Sequence, residues 1–280
     1  MSNRSTRARP GRTALSYAPA GGPRSLTVGA AVAATAAMLV TGCGGKSSNQ
    51  SAGSSHEQSA AGKLPQSTTY TTLKDVSKDA DPLAASDGTV VHPTKPLPVS
   101  ATAGGPPVAT LPSTELGSDT WVPVVETKPG WQRVLLPSRP NGATGWIATG
   151  NGTVKTAHSS YVIKVNTSTR RLTLLKSGHT VGTWTVAVGA PKTPTPAGRT
   201  FILASLAPAK ATFSPLILPV GAHSETLDTF GGGPGTVAFH GWPDKSVFGK
   251  AVTHGCVRVP ADALKQLAKV PLGTPVSIAN

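Results

Sequence analysis

The chain has 280 residues, of which 14% are charged and 5% aromatic, with 31 glycines and 26 prolines. That composition argues against a helix-dominated protein and for short strands joined by many turns. The formal charge is +14, but the Lys and Arg are scattered, without a basic run or nucleic-acid motif, which argues against nucleic acid as a partner.

Residues 1–42 carry Arg4, Arg7, Arg9, Arg12 and Arg24 and no acid. Without those five arginines, the remaining 21 basic residues still exceed the 12 acids by nine. That excess suits a polyanionic surface such as a cell wall or anionic lipid. The apolar run from Leu26 to Val40 follows the basic start, as in a secretory signal peptide. Its length is marginal for crossing a hydrocarbon core of roughly 30 Å. No Arg-Arg pair precedes it, which favours general secretion over the twin-Arg route.

Val40-Thr41-Gly42-Cys43 resembles a bacterial lipoprotein lipobox. The resemblance implies acylation of Cys43 and a lipid anchor on the extracytoplasmic side of the cell membrane, facing the wall. Acyl chains hold by about 0.8 kcal/mol per buried CH₂. Residues 43–97 are rich in Ser, Ala, Gly, Thr, Lys and Pro and read as a flexible linker.

Over residues 98–152, short β-like runs at Val108, Trp121–Val125, Trp131–Leu136 and Gly145–Ala148 alternate with turn clusters. Pro129-Gly130-Trp131-Gln132-Arg133-Val134 and Thr144-Gly145-Trp146-Ile147 resemble the two "GW" strands of the bacterial SH3-like domain, which implies a small barrel. Core packing and ligand contact are both open roles for its tryptophans.

Residues 160–280 are again strand-like. Alternation predicts a strand from Tyr161 to Val165 and a hairpin through Asn166-Thr-Ser-Thr to Arg171-Leu-Thr-Leu-Leu. Further strands are expected over 183–188, 200–203, 235–240 and 275–279. One helix is expected over 261–269, opened by Pro260 and favoured by Asp262 in its first turn.

Cys256 is the only cysteine beyond position 43. It lies in Thr253-His254-Gly255-Cys256-Val257-Arg258, and His240-Gly241 lies sixteen residues before it. A lone thiol beside two histidines is a candidate nucleophile, because the attacking species is the thiolate and needs a base nearby. The N–H groups around Gly255 and Cys256 are candidate oxyanion donors, and Arg258 is a candidate fork for a substrate carboxylate. Two other readings compete. One is an inert buried cysteine. The other is a zinc site from His240, His254 and Cys256, for which His223, Asp228 and Asp244 offer a fourth ligand. The sequence reading favours neither, and no metal or cofactor is expected.

His240-Gly241 with Thr253-His254-Gly255-Cys256-Val257-Arg258 resembles the signature of the L,D-transpeptidase (YkuD-type) family. Val188-Gly189 and Pro194-Thr195-Pro196-Ala197-Gly198 resemble a second family segment. The resemblance spans about 160–280. It implies a mainly β protein, with the SH3-like barrel followed by a YkuD-type β-sandwich carrying one or two short helices. It further implies Cys256 as nucleophile, His240 as base, the Gly241 carbonyl orienting the imidazole, and His254, Gly255 and Cys256 around the oxyanion, with Thr253 beneath. The implied reaction is peptidoglycan 3→3 cross-linking, with D-Ala released from stem tetrapeptides. Stem peptides and carbapenem-type inhibitors are the implied partners. An L,D-carboxypeptidase, or a non-catalytic wall-binding lipoprotein, are the alternatives.

Overall fold

A computed structural model of the chain describes residues 64–150, 152–210 and 212–280, all within one compact unit, Glu57–Asn280. The signal-peptide and lipobox readings, residues 1–42 and Cys43, lie outside the described residues. Among the described residues no helix is long and apolar enough to cross a membrane.

The first ten strands are β1 (Ser77–Lys78), β2 (Thr89–Pro93), β3 (Leu97–Ser100), β4 (Pro107–Leu111), β5 (Thr114–Glu115), β6 (Ser118–Asp119), β7 (Val122–Lys128), β8 (Trp131–Leu135), β9 (Ala143–Ala148) and β10 (Val154–His158). All but β5 and β6 join one antiparallel sheet in the order β10-β2-β7-β8-β9-β3-β4, with β1 added to β9. The two Gly-Trp stretches meet on neighbouring strands, since Arg133 of β8 is paired with Trp146 of β9. Trp146 is buried and Trp131 half-buried.

The expected linker, residues 43–97, is folded from residue 64 onward. β2 pairs along its whole length with β10, and Val91 and Val99 are fully buried. Pro93, which read as linker, is the last residue of β2, and Pro98, the first residue of the expected barrel, is an exposed position of β3. Proline is tolerated where its missing N–H breaks no ladder bond.

The later strands are β11 (Tyr161–Asn166), β12 (Arg171–Lys176), β13 (His179–Thr185), β14 (Val188–Gly189), β15 (Gly198–Phe201), β16 (Ile217–His223), β17 (Thr236–His240), β18 (Ala251–Thr253), β19 (Val257–Arg258) and β20 (Pro275–Ala279). The helix α1 (Ala261–Leu267) precedes β20. A five-stranded sheet runs β13-β12-β11-β20-β15, and a three-stranded sheet runs β16-β17-β19. Ile163, Leu172, Leu174 and Ile278 of the first face Leu218, Val237, Phe239 and Val257 of the second in one core, sealed by Ala263, Leu264 and Leu267 of α1. Burying each such aliphatic side chain contributes about 1.5–3 kcal/mol. The fold is mainly β, as the composition implies.

The two sheet systems are not separate bodies. The core of the N-terminal sheet includes Phe201 and Leu203 from the C-terminal region. Arg199 beside them grips Asp79 in a two-pronged ion pair, with both nitrogen–oxygen distances at 2.9 Å.

Candidate active site

β17 and β19 run parallel, with Phe239 beside Val257 and His240 beside Arg258. Successive side chains of a strand point to opposite faces. Phe239 and Val257 enter the core, so His240, Arg258 and Cys256 share the other face. Cys256 stands at the head of β19, and the backbone of Ala238, two residues before His240, lies near enough to its thiol to favour the thiolate. The outer side of β19 is fixed by paired backbone bonds between Arg258 and Ala187, at 3.0 and 2.9 Å.

His240 is buried, and its Nδ1 lies 2.8 Å from the carbonyl oxygen of Gly241. A carbonyl only accepts, so Nδ1 carries the proton. Burial first, and the nearby Arg258 charge, hold the imidazole pKa below 6.5, against the Gly241 bond that raises it. The neutral ring therefore has its lone pair on Nε2. Burial pushes the Cys256 thiol up to about 11, opposed by the Ala238 backbone and by Arg258. These shifts favour a neutral thiol beside a neutral imidazole at rest. No hydrogen bond joins the two side chains directly among the described residues; such contacts commonly tighten only when substrate binds.

The turn before the thiol is held from below. Thr253 Oγ1 donates to the Cys256 carbonyl at 2.6 Å and accepts the Gly255 N–H at 3.1 Å. Gly255 has φ +119°, a conformation that side-chain-bearing residues rarely adopt. The sequence pointed to the Gly255 N–H as an oxyanion donor; in the structure that hydrogen is taken by Thr253. No loop hydrogen bond claims the N–H of His254 or of Cys256 among the described residues. His254 is exposed, and its ring lies 6.4 Å from that of Phe230.

A second loop clamps the same turn. Thr195 Oγ1 donates to the Gly255 carbonyl at 2.9 Å, and Thr193 Oγ1 donates to the Thr253 carbonyl at 2.7 Å. Gly189 permits this approach, because a Cβ there would stand 2.3 Å from the Thr195 nitrogen.

Arg258 lies face-on to Trp242, with 3.6 Å from its central carbon to the ring centroid. Phe213 meets His240 edge-on at 4.9 Å and Trp242 at 5.4 Å. Sequence reasoning gave no role to Phe213, Ser214 or Trp242. The first two lie in a Pro/Gly-rich stretch without periodicity, distant in sequence from the histidine they serve. Trp242 directly follows His240-Gly241, and its adjacency was the one available signal.

The alternative metal ligands are dispersed. His223 Nε2 is bound to the Thr69 carbonyl at 2.8 Å, and Asp244 caps a short 3₁₀ turn at Ser246. Among the described residues no three His, Cys, Asp or Glu side chains are grouped to hold a metal ion.

Compared with curated proteins, the sequence matches none. Among solved structures it is similar to an L,D-transpeptidase from Mycobacterium tuberculosis, at 17% identity over 50% of this chain and 73% of that one, with TM-score 0.37. It is also similar to L,D-transpeptidase 3 of the same organism in complex with a faropenem-derived adduct, at 15% identity over 50% and 74%, TM-score 0.37. A third is the catalytic domain of the E. faecium L,D-transpeptidase, at 20% identity over 43% and 97%, TM-score 0.34. Residues 160–278, which hold the whole site, match the YkuD family, the L,D-transpeptidase catalytic domain.

Proposed function

We propose that the chain is a peptidoglycan L,D-transpeptidase that forms 3→3 cross-links through a thioester on Cys256. The observation that carries this reading is the His240 imidazole, fixed by Gly241 as the Nδ1–H tautomer, on the same sheet face as the only thiol beyond residue 43. In the first step His240 Nε2 takes the thiol proton as Sγ bonds to the carbonyl carbon of the L-to-D amide. The tetrahedral oxyanion faces the N–H groups of His254 and Cys256. Its collapse breaks the C–N bond, His240 returns the proton to the leaving nitrogen, and D-Ala departs. A side-chain amine of a second stem then attacks the thioester, gives its proton to His240, and releases Cys256 as the thiol. Arg258, pinned on Trp242, supplies the positive charge for a stem carboxylate.

In this reading β-lactams of the carbapenem type acylate Cys256 in place of the stem. Cys43 carries the lipid anchor, which holds the enzyme on the extracytoplasmic side of the membrane, and the N-terminal sheet is an SH3-like module against the wall. The net excess of basic residues after residue 42 supports a polyanionic environment.

The test is incubation with a disaccharide-tetrapeptide. Cross-linked dimer with free D-Ala is the expected product, absent with Cys256→Ala. Tripeptide alone would assign the chain as an L,D-carboxypeptidase, and no product from the wild type would overturn both. Cys43-dependent, globomycin-sensitive palmitate labelling tests the anchor, and its absence would favour simple secretion.

A further inference from the structure

The carbonyl that orients His240 belongs to a glycine. Glycine has the widest conformational freedom of any residue and sets no carbonyl direction by itself. Something outside it must hold it, and the structure holds it at its nitrogen. The Gly241 N–H donates to Ser214 Oγ at 2.8 Å. The same hydroxyl donates its own proton to the Leu216 carbonyl at 2.6 Å, so its lone pairs are left facing Gly241. Ser214 is only 1% exposed, which puts this bond out of competition with water. Gly241 permits the close packing, since a Cβ there would meet Ser214 Oγ at 3.2 Å and Leu264 Cδ2 at 3.3 Å.

The neighbour of Ser214 reaches the same imidazole from another side. Phe213 packs its ring edge-on to His240 at 4.9 Å. Thr212 stiffens the turn, its Oγ1 donating to the Ser214 carbonyl at 2.8 Å. The tripeptide Thr212-Phe213-Ser214 therefore grips His240 twice, at the ring and at the residue that sets the ring's tautomer. It also borders a groove of about 320 Å³ walled by Phe213, Leu216, Trp242 and Leu264.

We propose that Ser214 is a positioning residue for the reaction: its hydroxyl fixes Gly241, and through the Gly241 carbonyl it keeps His240 in the Nδ1–H form with Nε2 free to take the thiol proton. This rests on His240 being the base. A neutral imidazole without a fixed Nδ1 partner populates both tautomers, and only one of them accepts the proton at Nε2.

The test uses the full chain labelled with ¹⁵N-histidine, with His240→Ala to assign the His240 signals. Two-bond nitrogen–proton spectra report the tautomer, and mass spectrometry reports the rate of carbapenem adduct formation on Cys256. In Ser214→Ala we expect His240 to lose its single Nδ1–H signature and acylation to slow by about tenfold or more. Ser214→Thr, which keeps the hydroxyl, retains the signature and most of the rate. An unchanged tautomer in Ser214→Ala overturns the proposal. If that variant does not fold, a Ser214→Thr protein that folds but shows the Nε2–H form overturns it equally. Failure of the underlying reading is distinguishable, because His240→Ala would then acylate at the wild-type rate whatever the tautomer in the Ser214 variants.

Discussion

The hydroxyl of Thr195 donates to the carbonyl oxygen of Gly255 at 2.9 Å, and it accepts the Gly189 N–H at the same distance. One side chain thus ties the Pro194-Thr195-Pro196 loop to the turn that presents Cys256. Thr195 is buried, so Thr195→Val leaves both Gly255 O and Gly189 N–H without partners. Each orphaned buried group costs about 1–3 kcal/mol. Thr195→Val is expected to lower stability by that order in urea unfolding and to slow acylation of Cys256, while Thr195→Ser keeps both. Equal stability of the Val and Ser variants would show that the clamp contributes nothing.

The neutral resting pair sets a pH signature. His240 is depressed below 6.5 and Cys256 raised to about 11, both chiefly by burial. The free base form of His240 therefore persists into mildly acid solution, and the acid limb of carbapenem acylation lies below pH 6.5. Iodoacetamide needs the thiolate itself, so its reaction with Cys256 should climb by about tenfold per pH unit from 7 to 10. A plateau already reached near neutral pH would mean a preformed thiolate–imidazolium pair.

The two histidines differ in what holds them. His240 is buried and locked to Gly241, whereas His254 is exposed, with the Phe230 ring 6.4 Å from its own. His240→Ala is expected to lower the acylation rate by about 10²–10⁴-fold, the usual range for loss of a general base. His254→Ala should retain a substantial fraction, since its backbone N–H survives the change. Comparable losses in stopped-flow acylation would give His254 a side-chain role that its position does not predict.

Much of the C-terminal fold was legible because its signals are local. The 161–165 alternation, the Asn166 turn and the helical run expected over 261–269, which ends at Leu267, each encode one element within a few residues. The two His-Gly stretches and Arg258 were legible for a related reason: β17 and β19 bring them together in simple parallel register. What escaped depends on long-range closure. β2 looks like linker until its partner β10 is known. β16 lies in a segment whose prolines and glycines mask a seven-residue strand. Ser214 is 27 residues from Gly241, and nothing in its neighbours marks it. The bond from the Gly255 N–H to Thr253, two residues earlier, likewise has no signal in the sequence.

Two buried titrating groups make stability pH-dependent in opposite directions. Thr69 bridges them, donating its N–H to Glu115 Oε1 and accepting from His223 Nε2 at its carbonyl. Burial raises Glu115 from 4.5 to about 7, against the Thr69 bond. The folded state then holds a proton that the unfolded state has released, so stability falls as pH rises through that window. Burial, with Arg139, lowers His223 from 6.5 to about 4. Here the unfolded state takes the proton first, and stability falls as pH drops from 6.5 to 4. Each effect is about 3 kcal/mol when complete. Glu115→Gln keeps the acceptor for Thr69 and removes the charge. It should raise Tm at pH 8 and give no gain at pH 4.5. A gain of the same size at both pH values would mean that Glu115 ionisation is not the cause.

The join between the two sheet systems includes the ion pair of Arg199 and Asp79, whose side chains are only 8% and 5% exposed. Removing one partner strands the other charge in a site with little water, at a penalty of about 3–5 kcal/mol. Asp79→Ala should therefore destabilise the whole chain, because Phe201 and Leu203 beside Arg199 are part of the N-terminal core. Asp79→Leu combined with Arg199→Met replaces the pair by apolar volume and should recover most of that loss. Both proteins unfold in urea as a single transition if the shared core makes one cooperative unit. Two separated transitions in the wild type, only one of them moved by Asp79→Ala, would show instead that the halves unfold independently and that Phe201 and Leu203 do not couple them.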